Sequence, residues 1–289
     1  MVSTLVYMTM LKYHLRGPLR RVRDFLYYKD SFEISPKGVM DGLLRVGDSC
    51  KEGYEDLIRM IRSSRWVHVD ETGMKVNGEK WWLCILRTDR GNVLAVIRKS
   101  RGKDVPRDIL GEYKGVVIAD GWRAYNGFIL QRCWAHLLRL VDDFRKSIMG
   151  KKLSSDIHLK FNELKEILGE DPPIEERELM KTRLDSEMEE LVKKYEGCKE
   201  VEKPITYIKK GLGRWHTCLL HPGMEPTNNL AEQAIREHVI MRRIIGTFRS
   251  ENGSANYQYI ASVLATWKLQ GKNPFEELES LLRKELCLK

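Results

Sequence analysis

The chain has 289 residues, enough to bury at least one sizeable core and to form one or two domains. Hydrophobic residues make up 42% and charged residues 31%, which excludes disorder as the main state. No apolar run approaches the roughly 18–20 residues that a membrane-spanning helix needs. The 50 Lys and Arg outnumber the 41 Asp and Glu, giving a net charge of +9 and a pI near 9.2. That balance favours polyanionic partners, because neutralising phosphates releases condensed counterions.

The opening MVSTLVYMTML is short, lacks a basic start and a small-residue cleavage site, and is not read as a signal peptide. Cys50, Cys84, Cys133, Cys198, Cys218 and Cys287 are scattered and form no CxxC. That usage suits free, mostly buried thiols in a reducing cytoplasm.

Residues 1–64 read as helical and basic, with Lys12, Arg16, Arg20, Arg21 and Arg23 interleaved with apolar side chains. A second helical stretch starts at Ser35-Pro36 and is expected to break at Gly47-Asp48. Helix, turn and helix in basic surroundings fit either part of a helix-turn-helix or a helical arm packed on the next domain. From Trp66 the pattern becomes β. RWVHVDETG alternates Val67 and Val69 against His68 and Asp70, a half-buried strand ending near Asp70. Asn77-Gly78 is a hairpin turn, WWLCILRT a second strand, DRGN a turn and NVLAVIRK a third strand, together an antiparallel meander.

A short helix with Pro106 in its first turn follows, then GVVIAD, a strand buried on both faces. A helical turn (GWRAYNGF), a fifth strand (ILQRCW) and a helix (AHLLRLVDDF) complete a mixed-sheet α/β core. Leu153, Ile157, Phe161, Leu164 and Leu168, then Met180, Leu184, Met188, Leu191 and Tyr195, step at helical spacing on either side of Gly169–Pro173. They predict an antiparallel helical pair, inserted over 150–225, that closes its apolar stripes on itself. Helices from Asn229, around Tyr257–Trp267 and from Pro274 end the chain. The expected divisions are 1–64, a core of 65–149 and 226–289, and the insertion at 150–225.

Asp70 and Asp120 each follow a buried β run, where a carboxylate either caps the next turn or faces a cation. Glu232 falls in the first turn of the helix after Asn228-Asn229, where it either pairs with Arg236 or serves a site. Cys133-x-x-His136 and Cys218-x-x-His221 have zinc-like spacing within each pair. His136 is either a packed histidine or a site residue. Arg236, Arg242, Arg243 and Arg249 form either a solvated basic face or a set of phosphate contacts. Trp122 and Tyr125 either pack in the core or stack on a base.

HVDETG, VIADGWRAY, QRCWAH, TNNLAEQAIR and GTFRSENG, in this order and around a helical insertion, resemble the successive motifs of the DDE transposases of insertion-sequence family sixty-six. The resemblance runs from about residue 66 to the C-terminus and more weakly through the preceding helices. It implies a ribonuclease-H-like fold, with Asp70, Asp120 and Glu232 as the catalytic acids. It also implies Mg²⁺ (or Mn²⁺) as cofactor, and DNA element ends and target as substrates. A dimer or higher oligomer on DNA, in a prokaryotic cytoplasm and nucleoid-associated, is expected with it. Family members usually carry a further N-terminal DNA-recognition and zinc-binding region, and the chain is expected to lack it. The alternatives are a hydrolysing nuclease of the same fold and a truncated, inactive DNA-binding remnant.

Overall fold

In the computed structural model, which describes residues 2–287 and side chains through Glu285, the chain gathers into two units. One is Met1–Tyr113 with Leu230–Lys289, the other Lys114–Asn229. The thiol of Cys287 lies outside the described residues.

The first unit opens with helix α1, Val2–Thr9, which widens into a π-helical turn over Met10–His14. Helix α2 spans Leu19–Asp30 and α3 Pro36–Arg62. As the Ser-Pro signal predicts, Ser35 caps α3, its hydroxyl accepting from Gly38 N at 3.0 Å. The expected break at Gly47-Asp48 does not occur; α3 runs unbroken for 27 residues. Gly47 serves contact rather than interruption, since a Cβ there would overlap the side chain of Asn256. The Asn256 amide donates to Leu43 O at 3.1 Å, so α3 is clasped by α10, Glu251–Leu269.

Strands β1 (Trp66–Val76), β2 (Glu79–Arg87) and β3 (Val93–Arg98) form the expected antiparallel meander, ordered β3-β2-β1. Asn77 and Gly78 both take positive φ, 51° and 81°, as a tight two-residue hairpin requires. β1 is longer than its sequence suggests, so Asp70 is its fifth residue and not its end. The strand carries on because Met74 and Val76 have a core to enter, with Trp81, Leu83 and Ile85 of β2. Nor is its first part half-buried. Trp66, Val67, His68 and Val69 are all buried, and period-two alternation appears only from Met74 onward.

On its side away from β2, β3 meets α10. Thr266 Oγ1 accepts from Val93 N at 2.9 Å, Ser262 Oγ from Ala95 N at 2.9 Å, and Gln258 Oε1 from Ile97 N. Side chains four apart on one helix face thus satisfy alternate donors of an edge strand, which leaves no template for foreign strand pairing there. Helix α4, Asp104–Leu110, is held by Arg62. Helix α9, Asn229–Ile245, packs Ile235 and Met241 on the same face as Met74 and Ile85, and α11, Pro274–Cys287, closes the chain.

The second unit holds β4, Val116–Ala119, and β5, Ile129–Arg132, paired in parallel with Ala119 opposite Arg132. All four residues of β4 are buried, as expected. Helix α5, Trp134–Asp142, leads to α6, Ile148–Glu170, and α7, Ile174–Tyr195, with the turn where Gly169–Pro173 predicts it. Helix α8 spans Glu202–Lys209. The α6–α7 pair is bridged along its flanks by Lys160–Glu187, Arg183–Glu163 and Lys194–Asp156.

The pair is not self-contained. Phe161 of α6 stacks on the fully buried Trp134 at 5.4 Å, and Trp215 and His216 pack on the same indole at 5.7 and 5.6 Å. A large aromatic at the start of α5 needs more cover than two strands supply, and the helical segment provides it.

Candidate active site

Asp70 projects from the face of the meander that carries Thr72, Met74 and Val76 of β1 and, across the register, Ile85. Its Oδ1 accepts from Glu71 N at 2.8 Å and the residue is half-buried. Helix α9 is tied to β1 and β2 at two points. Arg87, in register with His68, donates from Nη1 to Leu230 O at 3.1 Å. Arg242 donates from Nη1 to Thr72 Oγ1 at 2.9 Å and to Gly73 O.

From 230 to 242 a helix rises about 18 Å, and from 68 to 73 a strand rises about 17 Å. Helix α9 therefore runs alongside β1 in the same direction. Asp70 on β1 and Glu232 in the first turn of α9 thus belong to the same unit, on elements tied together by these two arginines.

The alternative role for Glu232, an ion pair with Arg236, is not formed. Arg236, Arg243 and Arg249 are exposed and pair with no carboxylate among the described residues. Arg242 is half-buried and committed to β1.

Asp120 is exposed directly after β4. Its Oδ1 accepts from Trp122 N at 2.8 Å, the turn-capping geometry open to a strand-end aspartate. That bond engages one carboxylate oxygen, and Asp120 makes no ion pair among the described residues. Trp122 is half-buried and Tyr125 is in the core at 2% exposure.

Cys133 is fully buried just ahead of α5, its Sγ accepting from Asn228 N at 3.1 Å, and His136 lies half-buried one turn into α5. Cys218 lies in a 3-10 turn with its thiol pushed up to about 12 by burial, and its backbone N–H donates to Gln131 Oε1 at 2.7 Å. The motif cysteines are thus packed and hydrogen-bonded. Cys50, Cys84, Cys133, Cys198 and Cys218 are all free thiols.

Two functional candidates escaped the sequence reading. Arg87 is the last residue of β2. Arg132, within QRCWAH, is 3% exposed and lies over the rings of Tyr207 and Trp215 at 4.3 and 5.0 Å. The parallel register sets it opposite Ala119, the residue before Asp120, a pairing that the sequence does not announce.

Asp70, Asp120 and Glu232 offer hard oxygen donors, the type that suits Mg²⁺ or Mn²⁺ with waters completing the shell. In the second unit Asp120 keeps one carboxylate oxygen unengaged, and in the first unit Asp70 and Glu232 are half-buried. Among the described residues no helix is long and apolar enough to cross a membrane.

The chain is similar to the uncharacterized protein y4qI of Sinorhizobium fredii, 24% identical over 315 aligned positions. That alignment covers 96% of this chain and 58% of the relative, so the chain spans less than two thirds of the relative's length. The family model described as "Transposase IS66 family" matches residues 1–256, taking in the N-terminal helices as well as every motif that carried the resemblance. The chain therefore belongs to the IS66 transposase family.

Proposed function

We propose that this chain cleaves DNA strands and transfers them during transposition of an insertion sequence. It does so on a ribonuclease-H-like core, with Asp70, Asp120 and Glu232 holding Mg²⁺ or Mn²⁺. The observation that supports the reading is that Arg87 and Arg242 tie α9, whose first turn bears Glu232, to the strand pair that carries Asp70.

Divalent ions held by Asp70, Asp120 and Glu232 would supply activation of the attacking water or 3′-hydroxyl and stabilisation of the leaving oxygen. The chain's own residues do the rest. Strand β1 and the first turn of α9 orient two carboxylates, and the turn at Trp122 N orients the third. Arg236, Arg243 and Arg249 bind DNA phosphates without reading sequence. Trp122 and His136 contact the DNA near Asp120. The protein works in the cytoplasm as a dimer or higher oligomer assembled on DNA.

The test is strand transfer with a pre-cut element end in Mg²⁺. Asp70→Asn, Asp120→Asn and Glu232→Gln keep shape and remove charge, and each is expected to abolish joined product while circular dichroism stays unchanged. A variant that keeps near-wild-type transfer removes its residue from the ligand set. Hydrolysed ends without joined product identify a nuclease, and binding without either product identifies an inactive DNA-binding protein.

A further inference from the structure

We infer that Arg132 and Tyr207 are positioning residues for Asp120, a role that rests on the reading of Asp120 as a metal ligand. Five observations in the second unit converge on this. Arg132 pairs with Ala119 in the parallel register, so its side chain emerges beside the turn that carries Asp120. The guanidinium is 3% exposed, makes no ion pair among the described residues, and its Nε has no hydrogen-bond partner.

Gly121 is the residue after Asp120, at φ 93°, and a Cβ there would fall on the Arg132 guanidinium. The turn thus lies directly against the buried cation. The Arg132 guanidinium lies over the Tyr207 ring at 4.3 Å, and the Tyr207 hydroxyl donates to Asp120 O at 2.6 Å. The rings of Tyr207 and Trp215, 5.8 Å apart, hold the guanidinium in place.

A buried cation without a carboxylate partner is costly unless something else rewards it. Here the reward is a rigid link from guanidinium to phenol to the Asp120 carbonyl. With Trp122 N fixing Oδ1, the backbone and one carboxylate oxygen are both held, and the remaining oxygen has a defined direction. A ligand held in this way loses less freedom when it takes a cation.

The test uses the full chain and Mn²⁺ as the probe, with free Mn²⁺ read by electron paramagnetic resonance and folding read by thermal melting. Tyr207→Phe removes only the hydroxyl and keeps the ring over Arg132; it guards against misfolding of Arg132→Gln. Each is expected to weaken Mn²⁺ binding about tenfold, in the range of other ligand-orienting groups. Placed in an Asp120→Asn background, each should weaken it no further, because the effect passes through Asp120.

Wild-type affinity in Tyr207→Phe and Arg132→Gln, or losses that add to that of Asp120→Asn, would overturn the positioning role and leave Asp120 as a ligand. Wild-type affinity in Asp120→Asn alone would overturn the ligand reading itself, and the positioning role with it.

Discussion

Arg87 Nη1 donates to Leu230 O at 3.1 Å, two residues ahead of Glu232, so a guanidinium at the end of β2 fixes where the helix bearing that carboxylate begins. Asp70 sits on the neighbouring strand opposite Ile85, two residues before Arg87 in β2. Strand pairing and one side chain therefore connect Asp70 to the start of α9.

Arg87→Ala should disturb catalysis more than folding. A hydrogen bond to a charged group contributes about 1.5–3 kcal/mol, and half-burial puts this one toward the lower end. A fall of a few degrees in Tm is expected beside a loss of strand transfer of about a hundredfold, since small misplacements of a catalytic group are costly. Arg87→Lys cannot reproduce the guanidinium's reach and should recover stability ahead of activity. Equal losses in both measurements would make Arg87 a purely structural contact.

The exposed, unpaired cations of α9 and its following turn predict how DNA binding responds to salt. Each phosphate contact contributes about 0.9 to the slope of log K against log salt on duplex DNA. Replacing Arg236, Arg243 and Arg249 together by Ala should lower that slope by about 2 to 3 and weaken random and element-end duplexes alike. Anisotropy titrations across a salt series measure it. A slope that does not change would mark the three as a solvated face, and selective loss on the element end would show that they read sequence.

Local signals proved legible and distant ones did not. Asn77-Gly78 announces its hairpin, Ser35-Pro36 its helix start and Gly169–Pro173 its turn, because each is decided by backbone chemistry within a few residues. Gly47 misled because its meaning lies in Asn256, far along the chain on α10. DETG read as the end of a strand, yet Met74 and Val76 found a core made by Trp81 and by residues as remote as Tyr257. Of the candidate site, the three acids were singled out by their resemblance to family motifs, whereas Arg87, Arg132 and Tyr207 make contacts that no spacing encodes.

His238 makes stability depend on pH. It is 5% exposed, its Nδ1 is 2.7 Å from Tyr257 Oη, and burial pulls its pKa down to about 4. An unfolded histidine titrates near 6.5, so below that pH the unfolded chain takes up a proton that the folded chain refuses. The stabilisation is complete above about pH 6.5 and is lost as pH falls toward 4, with no further change below. Its ceiling is on the order of 3 kcal/mol. Urea midpoints at pH 7 and pH 5 should differ in wild type, and His238→Gln, which keeps a partner for Tyr257, should flatten the difference. An unchanged pH dependence in that variant would assign the acid sensitivity to other groups.

The helical segment of the second unit should prove indispensable to the strands beside it. Replacing residues 155–215 by a short flexible linker would close the chain at little entropic cost, so loop closure is not the obstacle. The obstacle is what the segment covers. It removes Phe161 and Trp215 from the fully buried Trp134, whose indole N–H donates to Trp215 O at 2.7 Å. It also removes one of the two acceptors of Gln131 Nε2, again Trp215 O, at 2.9 Å, and the Arg214 carbonyl that accepts from Arg132 N at 2.8 Å. Uncovering a large aromatic costs about 3–5 kcal/mol by the measure of Trp-to-Ala changes, and each orphaned buried polar group about 1–3 kcal/mol more. Those losses together rival the 5–15 kcal/mol that holds a typical domain folded. Hydrogen exchange read by peptide should show residues 116–132 losing protection in the deletion variant while residues 66–98 keep theirs. Trp134→Ala in the intact chain should shift the same peptides in the same direction by a smaller amount. If residues 116–132 stay protected without the segment, the helical pair closes on itself after all.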